Sequence, residues 1–125
     1  MHPPLPKEKT MKFALLYVYD PTETSPTEGE IADWVALDDQ LKADGVVVLG
    51  EGFHSRDEAR VVRVRDGATA VATEPTAPAA HTVAGFYVLD VPSVEAATEI
   101  AARIPTAGYG YVEVRRVVDF DNWPD

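Results

Sequence analysis

The chain has 125 residues, a formal net charge of −10 and no cysteine. That length is one domain, large enough to bury a core without staples. The missing thiols exclude disulfides, thiolate catalysis and cysteine-held zinc or iron–sulfur centres. The acidic surface repels phosphate backbones and anionic bilayers, so neither nucleic acid nor a membrane is an expected partner.

No apolar run approaches membrane-spanning length. The opening "MHPPLPKEKT" (1–10) is polar and Pro-rich, without an apolar signal core. It reads as a flexible tail, with Met11 a possible natural start, and residues 11–125 form the single domain. The cytoplasm is the expected location.

"KFALLYVYD" (12–20) reads as a strand buried on both faces. After a polar loop, Ser25, Pro26 and Glu28 have the spacing of a capped helix start. The helix runs to about Asp44, with Ile31, Trp34, Leu37 (or Val35) and Leu41 as its apolar stripe. Gly45 is its expected left-handed stop. "VVVLGEGF" (46–53) is the second strand. Asp66-Gly67 marks a hairpin between a third strand ending near Arg65 and a fourth over 69–72. Residues 84–91 are the fifth strand. Ser93 caps a second helix, which reaches about Arg103 with a stripe of Val94, Ala97, Ala101 and Ile104. Pro105 ends it. Residues 112–118 are the last strand.

The order β-α-β-hairpin-β-α-β predicts an α+β, ferredoxin-like split β-α-β fold. Its antiparallel sheet has both helices on one face. Apolar strand positions on the other face require cover, and a second copy of the chain is the expected partner. A monomer would carry an exposed apolar patch.

Four segments resemble the YCII-related (YciI-like) family, specifically its DGPF branch: "MKFALLYVYD", "LKADGVVVLGEGF", "VRVRDG" and the run from "AGFYVLDV" to "VEVRRVVDF". The resemblance covers nearly the whole chain from Met11. It implies a dimeric α+β barrel, two sheets packed face to face. At the place of the DGPF motif stand Thr73, Glu74, Pro75 and Thr76, so only the proline is kept. A usual Lys-Glu pair is replaced by Ala80 and His81. Some relatives are thought to use a His–Asp pair, and one subgroup dechlorinates a hydroquinone. Those positions align with Trp34 and Ile104, which cannot transfer protons in that role, so that activity is not carried over.

Period two puts Val112, Val114, Arg116 and Val118 on one face of the last strand, and Glu113, Arg115 and Val117 on the other. The first set is expected to face the helices. Glu113 and Arg115 then point into the dimer, as an ion pair fixing register or as a polar cluster lining a ligand cavity. Glu51 alternates with apolar neighbours on the second strand. It is either a salt-bridge partner of Arg63, Arg65 or Arg115, or a general base. Arg63 and Arg65 read as solvent-facing side chains. His54 and His81 lie in loops and are candidates to meet at a cavity mouth. Tyr17 is a core aromatic or a ligand-orienting phenol. No metal spacing, P-loop or dinucleotide motif appears, so no metal and no cofactor are implied.

Two functions are compatible with these residues. One is a homodimeric small-molecule-binding or accessory module, taking a small anionic or phenolic ligand at Tyr17, Glu113 and Arg115. The other is an acid–base enzyme of lyase or isomerase type on a small acid or lactone, with Glu51 as base, Arg115 as anion anchor, and Tyr17 or His54 as donor.

Overall fold

The computed structural model describes residues 9–124. Apart from Lys9 and Thr10, the expected N-terminal tail lies outside the described residues. Six strands and two helices follow in the expected order: β1 (Met11–Tyr19), α1 (Glu30–Ala43), β2 (Val47–Gly52), β3 (Val61–Arg65), β4 (Ala68–Ala72), β5 (Thr82–Val91), α2 (Val94–Ala101) and β6 (Tyr111–Arg116). The main sheet is antiparallel, with strand order β2-β5-β1-β6. β1 and β2 therefore run parallel on either side of β5, which is the ferredoxin-like split β-α-β arrangement.

Both helices cover one face of this sheet. Phe13, Leu15 and Tyr17 of β1 and Tyr87, Leu89 and Val91 of β5 meet Leu37 and Leu41 of α1 and Ala97, Ile100 and Ala101 of α2. β1 is not buried on both faces as expected. Phe13, Leu15 and Tyr17 are buried, with Val18 also buried past a register shift, while Lys12 is exposed and Ala14 and Leu16 are half-buried on the other side.

Cross-strand glycines let two of the core tyrosines lie flat. Tyr17 is paired with Gly85, and Tyr87 with Gly50. A Cβ on Gly50 would come 2.6 Å from the Tyr87 ring. A pleated sheet admits a ring at that place only over a residue without a side chain.

α1 departs from the sequence reading. It starts at Glu30, preceded by Gly29 at φ 84°, and no side chain caps it from the Ncap position. Ser25 and Pro26 stay outside. Glu30 itself reaches back, its Oε1 accepting from the Thr27 N–H at 3.2 Å. Ile31 is 80% exposed, and Glu30, Leu37 and Leu41 are the buried positions, with half-buried Trp34 between them. α2 keeps its expected cap, Ser93 Oγ accepting from the Ala96 N–H at 3.1 Å. It ends at Ala101, and Ala97, Ile100 and Ala101 form its buried stripe while Val94 is exposed.

β3 and β4 form a separate two-stranded ribbon. Asp66 and Gly67 both take positive φ, 52° and 77°, as a two-residue hairpin of the expected kind requires. Among the described residues no helix is long and apolar enough to cross a membrane.

Candidate functional site

The sheet face away from the helices carries the side chains that set the site. Register aligns them in rows across the sheet. Glu51, Phe86, Leu16 and Glu113 form one row; Leu49, Val88, Ala14 and Arg115 form the next. The central strands contribute Leu16, Phe86, Ala14 and Val88, and the edge strands contribute the charges. Three strand spacings separate Glu51 from Glu113, about 14 Å. Among the described residues Glu113 and Arg115 form no ion pair, and neither does Glu51. The face thus has an apolar centre and a charged rim, the anatomy of an association surface.

Tyr17 lies on the opposite side. It is buried against the helices, its ring tilted against Trp34 with centroids 4.9 Å apart, and its hydroxyl donates to the Glu51 carbonyl oxygen at 3.1 Å. Burial first, and then the Glu51 charge, raise the Tyr17 phenol above its ordinary value. The five residues singled out by sequence therefore do not form one cluster. Glu51, Glu113 and Arg115 share a face, Tyr17 is behind it, and His54 is beyond the end of β2.

His54 and His81 do line one groove, of about 440 Å³. Its apolar walls include Phe53, Pro75, Ala77 and Val83, and Arg56 and Thr82 also line it. Arg56 is fixed there: its guanidinium donates to Thr82 Oγ1 at 2.9 Å and to the Ala77 carbonyl at 2.7 Å. His81 Nδ1 lies 2.8 Å from the Tyr111 hydroxyl. His54 points outward, 3.8 Å from Glu58. The Phe53 ring sits 5.8 Å from Phe86, so this groove opens at a corner of the uncovered sheet face. A larger groove of about 660 Å³ lies at the other end of the strands, between Lys12, Asp90, Arg116 and the C-terminal turn; none of the five candidates lines it. The smaller groove is the better ligand site, because apolar walls there converge on a fixed cation. Sequence reading passed over Arg56 as a neighbour of His54. Its groove is assembled from three separate loop segments, and no local pattern announces it.

A second polar group was also missed. Buried Glu30 accepts from Trp34 Nε1 at 3.0 Å and from the Tyr109 hydroxyl at 3.1 Å. The Tyr87 hydroxyl donates to Asp38 at 2.9 Å, and Asp38 is paired with Lys42 at 2.6 Å. These bonds satisfy every polar atom involved, so they anchor α1 rather than offer a site. Burial above all, with Glu30 adding to it and Thr106 acting against, pushes the Tyr109 phenol up to about 12. A raised folded-state value favours the folded protein fully below the ordinary value of 10.0, and that contribution is lost as pH climbs through about 12. Stability is therefore expected to fall between these limits. Urea midpoints measured across that range should fall less steeply in Tyr109→Phe, and an unchanged slope would remove Tyr109 from the account.

The architecture and the uncovered face define a class: a small ferredoxin-like α+β domain with one sheet face free. The YCII-related domain matches the chain over residues 11–121. The chain belongs to the YCII-related family. No curated protein matches it.

Proposed function

We propose that the protein is a homodimeric small-molecule-binding module of the YCII-related family, its DGPF branch included. Two copies stack their uncovered sheet faces, and each holds a small, flat organic anion in the groove under Arg56. The observation that carries the reading is the layout of that face. Half-buried Leu16, Phe86, Ala14 and Val88 need cover, and the charges on the rim form no ion pair among the described residues. A second sheet at the usual spacing of about 10 Å would supply both. In that arrangement Glu51, Glu113 and Arg115 act at the rim of the dimer.

The groove supports the ligand class. Arg56 supplies a fixed positive charge, Phe53 a ring to stack on, and His81 a second polar group. Pro75 of its wall belongs to the segment where the DGPF branch carries its motif, and Ala77 follows just after it, so the altered loop still shapes the pocket.

Benzoate is a suitable probe. It is expected to raise the melting temperature by mass action, by about 2.7 kcal/mol of stability at a hundredfold excess over its Kd. Arg56→Ala should lose the effect and Arg56→Lys keep part of it. A melting temperature indifferent to millimolar benzoate and to close analogues would remove the ligand half of the proposal.

A further inference from the structure

The groove beside Arg56 has a second fixed polar point. His81 lines it, and its ring is held at one nitrogen: Nδ1 lies 2.8 Å from the Tyr111 hydroxyl, with the two rings edge-on at 6.1 Å. The backbone there is pinned as well. His81 closes the tight turn Ala79–His81, and its N–H donates to the Pro78 carbonyl at 2.9 Å. The Thr82 hydroxyl donates to the Ala79 carbonyl at 2.7 Å and accepts from Arg56 at 2.9 Å. One short segment therefore places both the guanidinium and the imidazole.

His81 and Tyr111 are exposed, so their bond competes with water and adds little to stability. Its effect is to fix which nitrogen of the ring is engaged. Nδ1 is taken, and among the described residues Nε2 has no partner. His54 differs. It has no hydrogen bond, its side chain is 95% exposed, and its Nδ1 faces Glu58 at 3.8 Å.

The two fixed points select a chemistry. A guanidinium has five N–H donors, of which Arg56 engages one with Thr82 and one with Ala77, so three remain for a carboxylate. At His81 the bond runs one of two ways. With Tyr111 donating to Nδ1, Nε2 carries the ring proton and donates. With Nδ1 donating to the phenol oxygen, Nε2 accepts. A hydroxyl both donates and accepts, so it suits either form, whereas a carbonyl suits only the first. Glu58 also lines the groove and opposes a second negative charge on the ligand.

We infer that the groove takes a hydroxy-substituted aromatic carboxylate, its carboxylate on Arg56, its ring along Phe53 and its hydroxyl on Nε2 of His81, which Tyr111 positions. The inference rests on the ligand groove proposed above and does not require the dimer.

Isothermal titration calorimetry with benzoate, 3-hydroxybenzoate and 4-hydroxybenzoate tests it. The parent should bind at least one of the two hydroxybenzoates about fivefold more tightly than benzoate, the contribution of one hydrogen bond between neutral groups. His81→Ala should bind benzoate as the parent does and lose that preference. Tyr111→Phe should keep only part of it, because the imidazole loses its fixed orientation. Both side chains are exposed, so circular dichroism of these variants should match the parent. A parent that binds all three compounds equally overturns the inference and leaves the Arg56 groove standing. A preference that survives in His81→Ala overturns it equally, since another group then reads the hydroxyl. A preference unchanged in Tyr111→Phe removes Tyr111 from the site. A parent that binds none of the three overturns this inference and the ligand reading together.

Discussion

Leu16→Glu is expected to yield a folded monomer. Leu16 occupies the middle of its row, between Phe86 of β5 and Glu113 of β6, on the side of β1 away from the helices. It is absent from the helix-side core, so the fold does not depend on it. In the stacked dimer it lies in the apolar centre. Losing its burial removes about 2 kcal/mol per copy. Desolvating a carboxylate in its place costs several kcal/mol more, and two-fold symmetry applies the change twice. The dimer should weaken by roughly a thousandfold or more. Circular dichroism should match the parent, and sedimentation should report a single chain. A Leu16→Glu protein that dimerises as tightly as the parent would show that this face is not the interface.

Gly85→Ala should destabilise the domain strongly. Gly85 is the cross-strand partner of Tyr17. A Cβ there would overlap the Tyr17 ring and its hydroxyl, and would lie 2.5 Å from the Glu51 carbonyl oxygen. Tyr17 cannot swing aside, because Trp34 packs on it at 4.9 Å and the rest of the core surrounds it. The Glu51 carbonyl is backbone of the neighbouring strand, so relief requires the β2–β5 pairing to open. Overpacking of this kind costs about 3 kcal/mol. That corresponds to a melting temperature about 10 °C lower. Gly108→Ala is the control, since a Cβ there meets nothing within 4 Å. Equal melting temperatures for the two variants would contradict the packing described around Tyr17.

Most of the fold was legible in the sequence because its signals are local. Asp66-Gly67 names its hairpin, Ser93 its cap, and strand alternation correctly put Glu113 and Arg115 opposite Val112 and Val114. The first helix misled for a physical reason. Ser25, Pro26 and Glu28 imitate a capped start, but the buried stripe begins with Glu30, a carboxylate held inside by Thr27, Trp34 and Tyr109. Tyr109 is remote in sequence, so nothing near Glu30 marks it as buried, and Ile31 beside it looks the better core residue. The candidate site was half legible for a similar reason. Alternation assigns faces within one strand, but relating Tyr17 to Glu51 requires the cross-strand register. The groove around Arg56 needs three loops brought together, which only the folded chain displays.

The stacking of two sheet faces is the claim on which the reading of the uncovered face depends. Sedimentation equilibrium of the unaltered protein at micromolar concentration tests it most directly. The expected result is a particle of twice 13.6 kDa. A particle of 13.6 kDa that stays soluble and does not associate as concentration rises would contradict it.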